Sequence, residues 1–165
     1  MRVRRTLRAD VESVWDALAD IASHVEWMAD ARAIRFTSTS TEGVGTTFDC
    51  DTKVGPLRLV DRMEVTEWVP EQAMAVRHVG LVTGEGRFTL SPRRRGRTVL
   101  AWDEALRFPW WIPAIPASLV LRLIWRGNLR RFERTIGHVS RSGGRSGPTG
   151  SRGARRQDRR RRRAG

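Results

Sequence analysis

Residues 32–106 read RAIRFTSTSTEGVGTTFDCDTKVGPLRLVDRMEVTEWVPEQAMAVRHVGLVTGEGRFTLSPRRRGRTVLAWDEAL. Apolar side chains recur at every second position through most of this stretch, and Gly or Pro turns interrupt the runs. Such a period is typical of strands with one buried face, and the short turns favour antiparallel hairpins. The pattern predicts six strands, at residues 33–40, 46–54, 57–69, 72–79, 84–91 and 97–107.

Helices are predicted on both sides of these strands. Residues 3–8 form a short first strand, after which Asp10 can cap a helix and residues 21–28 a second, shorter one. The last and longest helix is predicted over residues 117–139. Its apolar stripe comprises Leu121, Ile124, Trp125, Leu129, Phe132, Ile136 and Val139, and its basic ridge comprises Arg122, Arg126, Arg130 and Arg134.

Grouped strands with helices at the ends predict an α+β domain with an antiparallel sheet. A sheet with one apolar face needs a cover, and the last helix would reach roughly 33 Å at about 1.5 Å per residue. We therefore expect this helix to lie across the inner face of the sheet.

Charge divides the chain into two parts. The 165 residues carry a net charge of +13, and residues 141–165 hold ten Arg and one Asp, which leaves +4 for the first 140 residues. The basic segment lacks apolar periodicity, so we expect a domain over residues 1–140 and a disordered tail over residues 141–165. The run from Arg159 to Arg163 could contact nucleic acid or anionic lipid, or could simply be solvated.

Several classes of protein are disfavoured by the sequence. Cys50 is the single cysteine, so no intrachain disulfide forms, and its place beside Phe48 predicts a small buried apolar residue. Neither a metal-ligand spacing nor a phosphate loop is present, so no metal or cofactor is predicted. Residues 1–7 do not resemble a signal peptide, and prolines interrupt the most apolar window, residues 108–125. We expect no transmembrane segment and a cytoplasmic location.

Three polar residues interrupt the predicted inward face of the sheet. Asp61, His78 and Glu104 share faces with apolar neighbours on three different strands. A polar group on an inward face costs free energy unless something satisfies it, so the three are candidates to orient a ligand or exchange a proton. Alternatively, they meet water at the rim of the sheet or form a buried ion pair.

Large apolar side chains are predicted to form the walls of the same pocket. Trp110 and Trp111 lie in a proline-rich connection, where they could form a lid, pack in the core or touch a membrane surface. The complete set of predicted ligand-binding residues is Trp27, Phe48, Asp61, Met63, Met74, Val76, His78, Phe88, Trp102, Glu104, Trp110, Trp111, Leu121 and Trp125.

The order of elements and the local sequence resemble the SRPBCC superfamily of START-like domains. Residues 11–21, VESVWDALADI, followed by His24 and Trp27, are similar to its opening helix pair. Gly43-Val44-Gly45-Thr46 and Gly84-Glu85-Gly86 resemble its strand entries, and the likeness covers about residues 1–140. The resemblance implies a helix-grip fold, in which a curved seven-stranded sheet wraps around the C-terminal helix and encloses an apolar cavity.

Binding of a small hydrophobic or lipid-like ligand in this cavity is the function that these features favour. One alternative is a polyketide cyclase or dehydratase-like enzyme that uses Glu104, His78 and Asp61, although the chain lacks the Tyr residues common in aromatic cyclases. Another is an adaptor whose basic tail binds nucleic acid or an anionic membrane.

Overall fold

A computed structural model describes residues 1–110 and 114–142 of the chain. Within these residues, seven strands and three helices follow one another in the order β1, α1, α2, β2 to β7 and α3, with a 3₁₀ turn over Ile21–Ser23 leading into α2. The strands are β1 Arg2–Leu7, β2 Ala31–Phe36, β3 Thr47–Val54, β4 Leu57–Val69, β5 Ala73–Val79, β6 Thr83–Arg93 and β7 Arg97–Arg107. The helices are α1 Val11–Ala19, α2 His24–Trp27 and α3 Ala114–Ser142.

All seven strands form one antiparallel sheet in the order β1-β7-β6-β5-β4-β3-β2. A bulge at Thr66 interrupts the pairing of β4 with β5, because Val65 lies opposite Val76 whereas Glu67 lies opposite Ala75. Bulges bend a strand and increase its twist. The sheet is accordingly curved, and its concave face carries the inward side chains.

The helix α3 covers the concave face, and its apolar stripe enters the core. Trp125, Leu129, Phe132 and Ile136 are buried, whereas the arginines of its basic ridge are exposed. Phe132 packs on Trp27 of α2 with ring centroids 4.8 Å apart. The predicted α+β fold, with a curved antiparallel sheet and a long covering helix, is confirmed.

The buried side-chain amide of Asn128 fixes the position of α3 relative to the connection between α2 and β2. Asn128 has no exposed surface; its Oδ1 accepts from the Ala29 amide at 2.9 Å, and its Nδ2 donates to Asp30 Oδ1 at 2.8 Å. These bonds join the middle of α3 to the connection between α2 and β2. An amide inside an otherwise apolar helix face is tolerated because both of its ends are satisfied.

Several predicted boundaries were wrong by a few residues. The last helix begins at Ala114 instead of residue 117, because Pro116 falls in its first turn, where a missing backbone N–H costs nothing. The second strand ends at Phe36 instead of residue 40. Beyond it, the Ser38 hydroxyl accepts a hydrogen bond from the Thr47 backbone N–H and donates one to the Thr47 carbonyl oxygen. Residues 143–165, which include Arg159 to Arg163, lie outside the described residues. None of the described helices is both long and apolar enough to cross a membrane.

Replacing Asn128 with Ala should destabilise the fold. The change leaves the Ala29 amide without its acceptor in a partly buried position, and we expect a loss of about 2 kcal/mol in the free energy of unfolding. Arg130→Ala, on the exposed face of the same helix, should change it by less than about 0.5 kcal/mol. Urea denaturation of both variants provides the measurement. Equal stabilities for the two would show that the buried amide does not hold the helix.

Candidate functional site

A cavity of about 350 Å³ lies between the concave face of the sheet and α3. Its walls come from the 3₁₀ turn, α2, β2 to β7 and the first half of α3, and most of the lining side chains are aliphatic or aromatic. The volume is at the small end of the range for ligand pockets, about 300–1,000 Å³. The predicted binding residues that line it are Phe48, Asp61, Met63, Met74, Val76, His78, Phe88, Trp102, Glu104, Leu121 and Trp125.

Three predicted tryptophans are not part of the described lining. Trp27 lies in the core, where it contacts Phe88, Trp102 and Phe132, because α2 directs it beneath the cavity. Trp110 is 94 % exposed at the end of the connection from β7, so it does not close the cavity as the predicted lid would. Trp111 lies outside the described residues.

Asp61, His78 and Glu104 meet in the wall of the cavity. His78 Nδ1 lies 2.8 Å from Asp61 Oδ2, and His78 Nε2 lies 2.9 Å from Glu104 Oε1. The second Glu104 oxygen, Oε2, accepts a hydrogen bond from the indole N–H of Trp102. All three members of the Asp61–His78–Glu104 cluster are buried, so the three polar breaks in the sequence pattern form a single group.

The register of the sheet brings these side chains together. Met63 pairs with His78 across β4 and β5, so Asp61, two residues earlier on β4, lies diagonal to the histidine on the same face. Glu104 pairs with Gly86, which in turn pairs with Val76. The Glu104 side chain must therefore cross β6 to reach a histidine on β5.

Gly86 makes this crossing possible. A Cβ atom at this position would lie 2.7 Å from Glu104 Oε1 and 2.8 Å from Oε2, closer than atoms of this kind approach one another. The carboxylate therefore occupies the space that a side chain on β6 would fill. The sequence marks Gly86 only as part of a strand entry and gives no sign that it makes room for the Glu104 carboxylate.

His78 is a cation at neutral pH. Burial lowers the pKa of its imidazole, but the hydrogen bonds and negative charges of Asp61 and Glu104 outweigh burial and raise the pKa to about 9. Both ring nitrogens then carry protons, and each donates to one carboxylate. The cluster is thus an imidazolium held between two acidic side chains in a mostly apolar cavity.

Asp61 keeps one oxygen unused. Its Oδ1 is buried and has no hydrogen-bond partner among the residues that the structure describes, although Asp61 as a whole lines the cavity. A buried acceptor without a donor is costly. The cluster therefore contains one unsatisfied acceptor, in addition to its three charge-assisted hydrogen-bonding contacts.

Other polar groups on the cavity wall were not predicted as binding residues. His24 lines the cavity, its Nε2 lies 2.9 Å from the Leu18 carbonyl oxygen, and burial lowers its pKa to about 4, which keeps it neutral. Cys50 also lines it, and burial raises the pKa of its thiol to about 11. Asp30 lines it near the α2–β2 connection. Their neighbours in sequence are ordinary strand and helix residues, so no local signal marked them.

Metal binding finds no support in the described part of the chain. No group of three or more His, Cys, Asp and Glu side chains there has an arrangement suited to a metal ion. In the Asp61–His78–Glu104 cluster, both nitrogens of the histidine already face carboxylate oxygens.

Comparison with known proteins gives matches in structure alone. No family model matches the sequence, and no curated protein matches it in a sequence search. A conserved protein from Geobacillus kaustophilus superposes with a TM-score of 0.70 at 17% identity, covering 83% of this chain and 94% of that one. A START superfamily protein from Mycobacterium smegmatis gives 0.69 at 12% identity, covering 84% and 97%.

The aromatase/cyclase Zhui from a Streptomyces species also matches, with a TM-score of 0.64 and 16% identity over 88% of this chain and 95% of that one. Identities this low establish the fold and nothing finer. The chain has a START-like, helix-grip fold, and the resemblance predicted from the sequence is confirmed at that level.

The free energy of unfolding should fall as the pH rises from about 6.5 to about 9. A raised pKa in the folded state stabilises the protein fully below the ordinary value of 6.5, and this stabilisation is lost as the pH passes about 9. At about 1.4 kcal/mol per pKa unit, the loss is on the order of 3 kcal/mol. His24 acts in the opposite direction, since its lowered pKa reduces stability as the pH falls from 6.5 towards 4.

Urea denaturation between pH 6 and about pH 9.5 measures this effect, and His78→Gln is the matched control. The difference between the two proteins isolates the histidine from the other groups that titrate in the same range. The variant should have a flatter profile above pH 6.5. Parallel profiles for the two proteins would contradict the assignment of a cationic His78.

Gly86→Ala should lower the pKa of His78. The new methyl group would displace the Glu104 carboxylate, and the histidine would lose one of its two anionic partners. NMR titration of the His78 ring protons should give a midpoint at least about one unit below that of the unaltered protein. Gly137→Ala, on the exposed face of α3 with open space around it, should leave the midpoint unchanged. An unchanged midpoint in Gly86→Ala would mean that Glu104 does not depend on this gap.

Proposed function

We propose that this protein binds a small hydrophobic or lipid-like molecule in the cavity between its sheet and α3. The observation that carries the proposal is a mainly apolar cavity of about 350 Å³ whose wall includes the buried Asp61–His78–Glu104 cluster. Ligand sites commonly combine mainly apolar walls with a few convergent polar groups that orient the ligand. The cavity has both features.

The aromatic side chains in the wall of the cavity support the proposal of a hydrophobic ligand. Trp102 of β7 stacks on Trp125 of α3, with ring centroids 5.0 Å apart and planes inclined by 28°. Phe88 lies 5.0 Å from Trp102 on the neighbouring strand. These rings offer a broad surface to a flat or hydrophobic molecule. The binding free energy would come mainly from removing that apolar surface from water.

The protonation of His78 argues against general-base catalysis by this residue. A general base needs a free nitrogen lone pair, and His78 carries a proton on both nitrogens at neutral pH. Its two N–H groups already donate to Asp61 and Glu104. An enzyme like the structurally similar aromatase/cyclase could not use His78 as its general base and would depend on Asp61 or Glu104 for that role, so the predicted cyclase or dehydratase activity is the weaker proposal.

An adaptor function of the basic tail has no support from the described residues. The segment from Arg159 to Arg163 lies outside them, and contact with nucleic acid or anionic lipid stays a prediction from charge alone. The START-like fold of a structural neighbour is consistent with an interior ligand, which favours the cavity as the functional part of the molecule.

Filling the cavity should abolish binding. Val76 of β5 lines the cavity, whereas Val79 of the same strand is 51 % exposed, so Val76→Trp and Val79→Trp form a matched pair. We expect the fluorescent probe N-phenyl-1-naphthylamine to bind the unaltered protein and Val79→Trp equally, and Val76→Trp at least about tenfold more weakly.

Fluorescence titration gives the affinities, and circular dichroism checks that both variants are folded. A folded Val76→Trp that binds the probe as well as Val79→Trp does would refute the cavity as the binding site. Failure of the unaltered protein to bind any apolar probe would refute the proposed function itself.

A further inference from the structure

Exposed apolar side chains gather at one edge of the cavity. We call them the apolar rim, and they are Leu81, Trp110, Leu119, Val120 and Leu123. Thr83 of β6 pairs with Arg107 of β7, so Leu81 and Trp110 lie just beyond the ends of two adjacent strands. Val120 of α3 lines the cavity and is also 46 % exposed, which places the rim where the cavity reaches the surface.

The same edge of the molecule is basic. Arg107 is the last residue of β7, Arg122 lies among the apolar residues of α3, and Arg58 follows the β3–β4 turn at the same end of the sheet. All three are exposed, and none forms an ion pair with an acidic side chain in the part of the chain that the structure describes. Residues 52–60, 79–84 and 105–126 contain no Asp or Glu. Apolar side chains with cations beside them are suited to the interface of an anionic lipid bilayer.

The opposite end of the sheet lacks this combination. Its β6–β7 turn contains Arg94 and is also basic, but the large apolar side chains exposed there, within the described residues, are Val44 and Val69. Charge alone therefore does not select a docking surface, whereas the apolar rim does. A second copy of this chain is disfavoured at the rim, because two such edges would bring arginines of like charge together.

We propose that the apolar rim docks on an anionic phospholipid membrane. Trp110 and Leu123 enter the interfacial layer of the bilayer, and Arg107 and Arg122 contact lipid phosphates. Docking places the opening of the cavity against lipid, so an apolar molecule can pass between the bilayer and the cavity without crossing bulk water. The docking does not itself require a ligand in the cavity, so it can be tested apart from the proposed function.

A matched pair of substitutions tests the apolar rim. Leu123 is 68 % exposed and Val44 is 67 % exposed, so Leu123→Glu and Val44→Glu make the same change at the two ends of the molecule. The eight residues of β3 separate those ends by roughly 26 Å, several Debye lengths at physiological ionic strength. We expect Leu123→Glu to lower the affinity for vesicles of equal phosphatidylglycerol and phosphatidylcholine at least about tenfold, and Val44→Glu to change it less than about twofold. Vesicle cosedimentation of the full chain gives the affinities.

A second pair tests the basic side chains. Arg122→Gln should weaken binding to the same vesicles roughly fivefold, whereas Arg94→Gln, at the exposed turn of the opposite end, should change it less than about twofold. Vesicles of phosphatidylcholine alone should bind the unaltered protein more weakly than the anionic vesicles do. A loss of affinity in Arg94→Gln and none in Arg122→Gln would show that the opposite end docks, and would overturn the proposal.

The basic segment, residues 141–165, is present in every variant and carries a charge of +9 but no Trp. Brominated phosphatidylcholine in the vesicles should quench tryptophan emission of the bound protein, because Trp110 enters the interface. Binding without quenching would assign the contact to the basic segment and overturn the proposal. Equal affinities of Leu123→Glu and Val44→Glu would overturn it as well.

Two further outcomes are decisive. If the unaltered protein does not bind the anionic vesicles, the proposal fails, and a dimer that Leu123→Glu dissociates in analytical ultracentrifugation would make the rim an interface between copies. Binding of N-phenyl-1-naphthylamine in the cavity would be unaffected by that failure, so the proposed function is judged separately. Circular dichroism checks the fold of each variant, and Trp110→Ser, at a position that is 94 % exposed, replaces Leu123→Glu if the latter does not fold.

Discussion

A buried imidazolium between two carboxylates is the interaction on which the polar part of the cavity depends. It joins side chains from β4, β5 and β7, with β6 lying between the last two. Because successive side chains of a strand face opposite sides of a sheet, a shift of one residue in β5 would turn His78 towards solvent. The charge cluster can therefore form only in the observed register. In that register Met63 pairs with His78, and Gly86 pairs with Glu104.

The cluster is also coupled to the helix that covers the sheet. Trp102 donates to Glu104 with its indole N–H and stacks on Trp125 of α3 with its ring. Asn128, one turn further along α3, holds the helix to the α2–β2 connection. A ligand that displaced the Trp102 ring would thus disturb both the polar part of the cavity and its cover. The tryptophan links the apolar and the charged parts of the site.

Much of this arrangement could be predicted from the sequence. Alternation assigned the inward faces of β4, β5 and β7, so it identified Asp61, His78 and Glu104 as polar residues on an apolar surface. A buried ion pair among them was one of the alternatives that the pattern left open. The sequence could not decide between the alternatives, because alternation determines the face of a residue and not its neighbour on the next strand. The bulge at Thr66 and the space left by Gly86 likewise depend on how neighbouring strands pair, which alternation does not specify. In the sequence, Trp27 and Trp102 are equivalent large aromatic residues. Only the position of α2 in the fold places Trp27 in the core, whereas Trp102 lines the cavity.

Stability alone does not account for charged groups at this place. Replacing a buried ion cluster with well-packed apolar residues is often neutral or stabilising, whereas leaving one member unpaired is costly. The sheet register is already constrained by the apolar alternation of its strands, so the cluster is not needed to specify it. Three ionisable residues are buried here, and they meet only because Gly86 has no side chain in the way. Asp61 Oδ1 still lacks a hydrogen-bond partner among the described residues. None of these features would be expected in a core that served stability alone. Such local departures from the rules of packing are characteristic of functional sites, and here the departure lies in the wall of a cavity that is lined mainly by apolar side chains.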